Sequence, residues 1–292
     1  MKRVEYFLFQ LLSWLLSRLP NFILYTIADI VFIFFYYIVG YRKNVVFKNL
    51  RNSFPEKSDK EIKQIAIKFY HHLSDIFIEN IALIKMKPER VEKMVDYESC
   101  ENIITDQYNK NKHVIIVTAH YNNWEFYLTL PILSQHKVLG IYKPLNDSFY
   151  DKQFFKMRQK FGAFPITMSD AFRTVLQLFK DKELMLVGLI ADQRPPKESS
   201  NYWTNFLNQE TAIFLGPEKI AKKINATLIF TYLEKVKRGK YKMICSSQLD
   251  DLSKYSEYEI TELYVRFVEK LIIEKPEYWL WSHNRWKRKR KK

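Results

Sequence analysis

The chain has 292 residues, of which 47% are hydrophobic and 16% aromatic, with a formal net charge of +15 and a pI near 9.5. That length and apolar content suffice for one large α/β domain or two smaller ones and exclude a disordered polymer. The charge implies an acidic partner such as phosphorylated lipid, an anionic membrane face, nucleic acid or an acidic carrier protein.

The first element is hydrophobic. Tyr6 to Leu19 is apolar and aromatic with Arg18 inside it, and Phe22 to Val39 runs 18 positions with Asp29 as its one charge. Such a run is near the lower limit for crossing a hydrocarbon core of roughly 30 Å. Two helices lying in the interface fit these residues as well as one spanning helix does, and a core helix pair of a soluble domain is a further reading. Glu5 and the lack of a small-residue cleavage site argue against a cleaved signal peptide. Arg42, Lys43, Lys48 and Arg51 follow at once and, by the positive-inside tendency, keep the bulk of the chain cytoplasmic.

Ser58 to Lys85 is predicted to be a helix, with Ser58 and Glu61 forming a capping-box pattern. His71, His72, Asp75 and Glu79 fall on it at spacings open to a metal. A solvated face explains them equally well and nothing supplies a supporting shell, so no metal is assigned.

The segment Val114 to Glu125, VIIVTAHYNNWE, is the most informative. Its apolar run predicts a buried strand, broken by Asn122 and Asn123 before a helix-like stretch, which sets His120 at the strand's carboxyl end. Ligands and chemistry collect there in open α/β sheets. Residues five apart on a helix diverge by about 140°, so His120 and Glu125 meet only if the first lies in the loop and the second in the first helical turn. In that arrangement Glu125 is expected to orient the imidazole. The bland reading is a strand-end His followed by a Glu favoured by a helix dipole.

Val138 to Tyr142 is a second short strand, closing in Lys143 and Pro144. The helix-like segment to Phe161 carries Arg158 just before Gly162. Leu184 to Ile190 is a third buried strand, running into Ala191, Asp192, Gln193 and Arg194 before two prolines stop regular structure. Thr227 to Leu233 and Tyr241 to Ser246, with Arg238 and Gly239 between them, predict a hairpin. Ile260, Leu263, Tyr264, Phe267, Val268 and Leu271 mark an amphipathic helix. The alternation predicts an α/β fold with a mixed, mostly parallel sheet covered by helices. His120, Lys143 and Asp192 then end three separate strands, with Arg158 and Arg194 nearby as guanidinium forks for phosphate or carboxylate. Cys100 and Cys245 have no metal spacing and form no disulfide framework, which suits a reducing compartment. None of the six glycines is spaced for a dinucleotide fingerprint, a P-loop or a nucleophile elbow.

The segment AHYNNWE resembles the GHFGNWE-type segment of the late acyltransferases of lipid A biosynthesis, within the lysophospholipid acyltransferase superfamily. Further similar segments follow in the family's order: IYKP, RQKFG, ADQ, FLNQETAIFLGPEKIAKKINATLIF and PEYWLWSHNRWK. The resemblance spans nearly the whole chain, including the hydrophobic amino terminus. It implies transfer of a fatty acyl group from an acyl carrier protein thioester, or acyl-CoA, to a hydroxyl of a phosphorylated glycolipid, with no cofactor. His120 would be the general base and Glu125 its acidic partner, with Arg158, Asp192 and Gln193 as further matched positions and Lys143 and Arg194 at the rim. Ala119, Tyr121 and Asn122 stand where the family often has Gly, Phe and Gly, and Lys143 where Arg is expected. Backbone amides near Asn122 and Asn123 are candidate oxyanion donors.

The chain divides on this reading into membrane-anchoring helices (1–45), a catalytic domain (46–286) and a polybasic tail (287–292) able to grip anionic headgroups. Trp279, Trp281 and Trp286 are expected to be structural, and His283 and Arg285 are left without a catalytic role. The bilayer face expected is the cytoplasmic side of the inner membrane. Two competing readings keep the chemistry on an amino-acid lipid or glycolipid acceptor, or discard it for a noncatalytic basic protein docking on membrane or nucleic acid. Nucleic-acid binding has no motif beyond charge, so no nucleic-acid partner is expected.

Overall fold

The computed structural model describes residues 2–197 and 200–290. Helices α1 (Lys2–Leu16) and α2 (Asn21–Ile33) form the hydrophobic amino terminus, and α2 continues as a π-helical turn over Phe34–Ile38. Helix α3 (Lys43–Ser53) leads to α4 (Asp59–Leu83), which Ser58 and Glu61 start with a reciprocal capping box, as their spacing predicts. Short helix α5 (Pro88–Glu92), strand β1 (Val95–Asp96) and α6 (Glu98–Asn109) precede β2 (Val114–Thr118). A 3-10 segment, Trp124–Leu133, follows β2; then come β3 (Lys137–Tyr142), α7 (Ser148–Arg158), β4 (Phe164–Thr167), α8 (Ala171–Lys180) and β5 (Met185–Ile190). The remainder is β6 (Tyr202–Phe206), β7 (Gln209–Ile213), α9 (Gly216–Lys223), β8 (Thr227–Lys237), β9 (Lys240–Leu249) and α10 (Glu259–Glu274).

Seven strands make one sheet in the order β1-β9-β8-β2-β5-β3-β4, parallel throughout except for the β8–β9 hairpin. Strand β2 is buried at all five positions because helices cover both faces, which is why it reads as an unbroken apolar run. The predicted mixed, mostly parallel sheet is therefore the observed one. Two features of it set the site. The register pairs Thr118 with Ile190, and Ala191 N–H donates to the Thr118 carbonyl at 3.1 Å. Residues two past each strand end, His120 and Asp192, thus emerge side by side. The register also aligns Gly140 of β3 with Gly188 of β5, and Gly188 with Ile116 of β2. Two adjacent glycines leave a bare strip on one face of the sheet, since neither carries a side chain to fill it.

The amino-terminal helices leave a broad apolar surface uncovered: Phe7 is 66% exposed, Phe22 74%, Ile30 61% and Ile38 70%. The stretch Asn21–Ile38 is long and apolar enough to cross a membrane, and 28% of it is buried in the protein. Its buried side packs on α4, and its one charge, Asp29, half exposed, makes a two-pronged contact with Arg238 at the hairpin tip, at 2.5 and 3.1 Å. Arg238 also holds Asp75, as does Lys235.

The cysteines correct an expectation. Read as unpaired, Cys100 on α6 and Cys245 on β9 are disulfide-bonded, with Cα atoms 5.3 Å apart across 145 residues of sequence. Helix α6 packs on β9, a long-range contact that spacing within the chain cannot reveal. The compartment inferred from free thiols accordingly loses that support.

Candidate active site

His120 leaves β2 with its side chain on the same face as Ile116 and Thr118, because alternate residues of a strand share a face. Its ring Nδ1 lies 2.7 Å from Asp192 Oδ1, and its backbone N–H donates to the same oxygen at 3.0 Å. The second oxygen of Asp192 accepts from Trp279 Nε1 at 2.7 Å. Burial pushes the Asp192 carboxyl up, but the adjacent imidazole and the hydrogen bonds from His120 and Trp279 outweigh it and hold it below its ordinary value. An ionised Asp192 fixes the tautomer: Nδ1 carries the proton, and the Nε2 lone pair is left for chemistry.

Glu125 does not reach back to His120. Its carboxylate forms a fork with Arg158, Nε to Oε2 at 3.1 Å and Nη2 to Oε1 at 2.8 Å. The expected partner of the imidazole is thus replaced by one from the neighbouring strand. The sequence spacing places Glu125 correctly in the first turn after the loop, where Asn123 Oδ1 accepts its N–H at 3.3 Å. The turn is 3-10 rather than α, and it directs the carboxylate to α7. Arg158 stacks its guanidinium over the rings of Tyr142 and Phe154, at 5.1 and 5.7 Å.

Behind these groups lies a cavity of about 770 Å³. Its apolar wall includes Ile116, Leu128, Leu130, Val138 and Leu189, with Gly140 and Gly188 on the bare strip of the sheet. The 3-10 segment roofs it: a methyl added at Gly188 would meet Leu130 Cδ1 at 3.7 Å, while one at Gly140 would meet nothing within 4 Å. From Ile116 to His120 the cavity follows about 13 Å of strand, at roughly 3.3 Å per residue. An imidazole with a free Nε2 at one end of a long apolar cavity is suited to a substrate with a reactive head and a hydrocarbon tail.

The comparisons agree with that chemistry. The sequence profile of the family described as bacterial lipid A biosynthesis acyltransferase matches residues 1–288. The chain belongs to this family. It is 22% identical over 247 residues to the lipid A biosynthesis palmitoleoyltransferase of Escherichia coli strain K12, covering 84% of this chain and 79% of that one. It is 23% identical over 286 residues to the lipid A biosynthesis lauroyltransferase of the same organism, covering 94% and 88%. A lipid A biosynthesis acyltransferase of Shigella flexneri matches over the same 247 residues as the first, at 22% identity. The chain is an O-acyltransferase by this membership.

In this acyltransferase Lys143, Gln193 and Arg194 all line the cavity. Lys143 is exposed and, among the described residues, has no hydrogen-bond or ion-pair partner, while Arg194 reaches only the Asn284 carbonyl at 3.4 Å. Arg288, from the basic tail, joins them and donates to the Pro195 carbonyl at 3.0 Å. The last two tail positions, 291 and 292, lie outside the described residues. His283 also lines the cavity, with burial pushing its ring down to about 4. Arg285 is buried against the Ala212 carbonyl at 2.5 Å and so ties the carboxyl-terminal segment to β7.

Three side-chain roles at the site escape a reading from sequence. Trp279, expected to be purely structural, supplies one of the hydrogen bonds on Asp192. Asn123 organises the Glu125 turn, and Glu79 on α4 holds Asn123. The YNN segment of the resemblance is the signal that could have found Asn123. Asn122 has φ 56° and gives its N–H to the Tyr278 carbonyl at 2.9 Å, so that amide is already engaged and is not an oxyanion donor. The helical quartet with metal-like spacing goes to separate partners: His72 faces Lys235 at 3.3 Å, Asp75 takes Lys235 and Arg238, and Glu79 takes neutral donors. His71 stacks on Phe32.

Proposed function

We propose that the enzyme moves a fatty acyl chain from an acyl carrier protein thioester to a hydroxyl of a lipid A precursor, on the cytoplasmic face of the inner membrane, with His120 as general base. The single observation carrying this reading is the His120–Asp192 pair placed at one end of the apolar cavity. The acyl tail occupies the cavity and the thioester carbonyl comes to rest beside His120. Nε2 takes the acceptor's hydroxyl proton as its oxygen attacks the carbonyl, and Asp192 stabilises the imidazolium that forms. Collapse of the tetrahedral intermediate breaks the C–S bond, and the imidazolium returns the proton to the leaving thiolate. No covalent acyl-enzyme is required.

The Arg158–Glu125 pair holds the cavity's polar edge rigid beside the reacting atoms. Lys143, Arg194 and Arg288, with Gln193 between, receive the anionic parts of the substrates. Residues 1–45, with their exposed aromatic and aliphatic side chains, seat the chain on the bilayer, residues 46–286 carry the catalysis, and the tail from 287 adds charge. A basic surface of this kind meets both an anionic leaflet and an acidic carrier protein.

The testing experiment supplies membranes containing the full chain with a labelled acyl carrier protein thioester and a tetra-acylated lipid A precursor. Label in the precursor supports the assignment. Label in a different membrane lipid keeps the chemistry and moves the acceptor to an amino-acid lipid or another glycolipid, and no labelled lipid from carrier protein or coenzyme A donors ends it.

Two expectations belong to this site. Lys143→Gln with Arg194→Gln should raise the acceptor KM by about tenfold, more steeply at low salt, with kcat nearly kept. Lys143→Arg should keep most activity if charge alone is needed; an unchanged KM in the double variant would remove the rim from substrate binding. Gly140→Leu should fill the strip beneath the roof and shift preference toward shorter acyl donors by about tenfold or more in relative kcat/KM. A profile of donor chain lengths identical to wild type would place the acyl chain elsewhere.

A further inference from the structure

The loop joining His120 to Glu125 rests on a carboxyl group that the reaction does not use. Glu79 of α4 is fully buried, at 0% exposure. It accepts from Tyr25 Oη of α2 at 2.5 Å, from Tyr241 Oη of β9 at 2.8 and 3.0 Å, and from Asn123 Nδ2 at 2.7 Å. Among the described residues no cation pairs with it; the lysine and arginine nearby go to Asp75, one turn earlier. An interior carboxyl surrounded only by neutral donors is an expensive way to fill space. A leucine there would pack without any such penalty, so the oxygens need another reason.

Asn123 supplies it. An amide side chain has one accepting end and one donating end, and here each end has a task. Nδ2 turns to Glu79, which leaves Oδ1 for the N–H of Glu125 at 3.3 Å. The Asn123 carbonyl meanwhile accepts the N–H of Phe126 at 3.2 Å. Turned the other way, the amide would set its NH2 against the Glu125 N–H and open the first turn of the 3-10 segment. Glu79 is the group that makes one orientation right and the other wrong.

We propose that Glu79 is a positioning residue of the acyl transfer site: it fixes which way the Asn123 amide faces, and so holds the turn that carries Glu125 against Arg158. This rests on the reading of the site given under the proposed function. Tyr25 places the same carboxyl in direct contact with the amino-terminal helices, so the turn beside His120 is referenced to the part of the chain that meets the membrane.

The test exploits the polarity of the amide. Glu79→Gln leaves one accepting oxygen; kept at the Oε1 position, where both tyrosine hydroxyls donate, it sets the new NH2 against Asn123 Nδ2, and the Asn123 amide turns to accept it, which costs the Glu125 N–H its partner. In Glu79→Gln/Asn123→Asp the carboxylate moves one residue along the chain of hydrogen bonds and accepts from both the introduced glutamine amide and the Glu125 N–H. With the full chain in membranes, Glu79→Gln is expected to lower kcat by about 10- to 100-fold, the scale of a small misplacement of reacting groups, with KM for the donor nearly unchanged. The double variant is expected to regain most of that loss, as coupled neighbours do when the interaction is restored. Wild-type kcat in Glu79→Gln, or a double variant no faster than the slower single one, overturns the proposal.

If Glu79→Gln does not accumulate folded, Asn123→Ala carries the same reading. It deletes the amide and leaves Glu79 with its two tyrosines. A fall in kcat of about tenfold or more at constant KM supports the positioning role, and wild-type kcat rejects it. His120→Ala run beside these separates the two readings. Turnover kept there fails the proposed reaction, whereas turnover lost there but kept in Glu79→Gln fails the positioning role alone.

Discussion

His120→Ala is expected to lower kcat for acyl transfer by about 10²- to 10⁴-fold, the usual share of a general base, with the protein still folded and membrane-bound. The argument for survival of the fold is local. The side chain is 17% exposed and, among the described residues, its polar partner is Asp192 alone. Alanine keeps the backbone N–H that donates to Asp192, and Trp279 keeps its own hydrogen bond, so the buried carboxylate loses one donor of three. The argument for the kinetic effect is that, among the described residues, no other side chain near that end of the cavity offers a free, basic ring nitrogen. His283 is held to about 4 by burial and its Nε2 is enclosed. Steady-state rates with a carrier protein thioester and a thermal melt of the same preparation decide the matter. Turnover at the wild-type rate from a folded variant would end the assigned mechanism.

Asp192→Asn should be nearly as severe, about 10³- to 10⁴-fold in kcat, by the logic that a mis-set tautomer disables an acid–base histidine. The carboxylate takes donors on both of its oxygens: His120 N–H and Nδ1–H on one, Trp279 Nε1–H on the other. An amide has one oxygen. Placed toward Trp279, it sets its NH2 against Nδ1 and drives the ring proton to Nε2, where the lone pair is needed. Placed toward His120, it sets NH2 against the indole N–H. Either way two donors face each other in a buried site, which costs about 1–3 kcal/mol of stability.

The pH at which this is measured matters. Because the folded carboxyl is held below its ordinary value, its contribution is complete above the unfolded value of about 4 and is lost only as pH falls through the lower folded one. At neutral pH the comparison is therefore between a full carboxylate and an amide. An Asp192→Asn enzyme within tenfold of wild type would show that orientation of the ring comes from elsewhere.

The partner of His120 illustrates how far the sequence can be read. The strand before it, the strand before Asp192 and the hairpin around Gly239 are legible because burial on both faces writes an unbroken apolar run, and turns need particular residues. Asp192 itself is legible as a rim residue. Its contact with His120 is not, because it depends on β5 lying next to β2 with Thr118 opposite Ile190, and strand order leaves no mark at any fixed spacing. Local spacing offers Glu125 instead, and the fold gives that carboxylate to Arg158.

Glu79 escapes the sequence for a related reason. Its position on α4 suits a solvated face, but the helix lies between the amino-terminal helices and the body of the protein, so much of its length is buried. The disulfide joins residues 145 apart and is a product of the same long-range packing. The apolar strip of Gly140 and Gly188 is equally out of reach, since it exists only once two strands align.

The proposed catalytic pair, His120 and Asp192, follows directly from the ends of β2 and β5, and this has a bearing on how the enzyme fails. These are interior strands, bonded on both edges, and in a cooperative fold such strands are the last to exchange their amide hydrogens and open only with the whole molecule. The rim groups that follow Asp192, and Arg288 beyond them, sit on irregular backbone outside the sheet's hydrogen-bond ladder. Under mild heat or denaturant the capacity to discriminate substrates should therefore fade first, while each molecule that still turns over does so with an intact acid–base pair. Its loss of chemical competence would be abrupt and shared with the loss of the sheet itself.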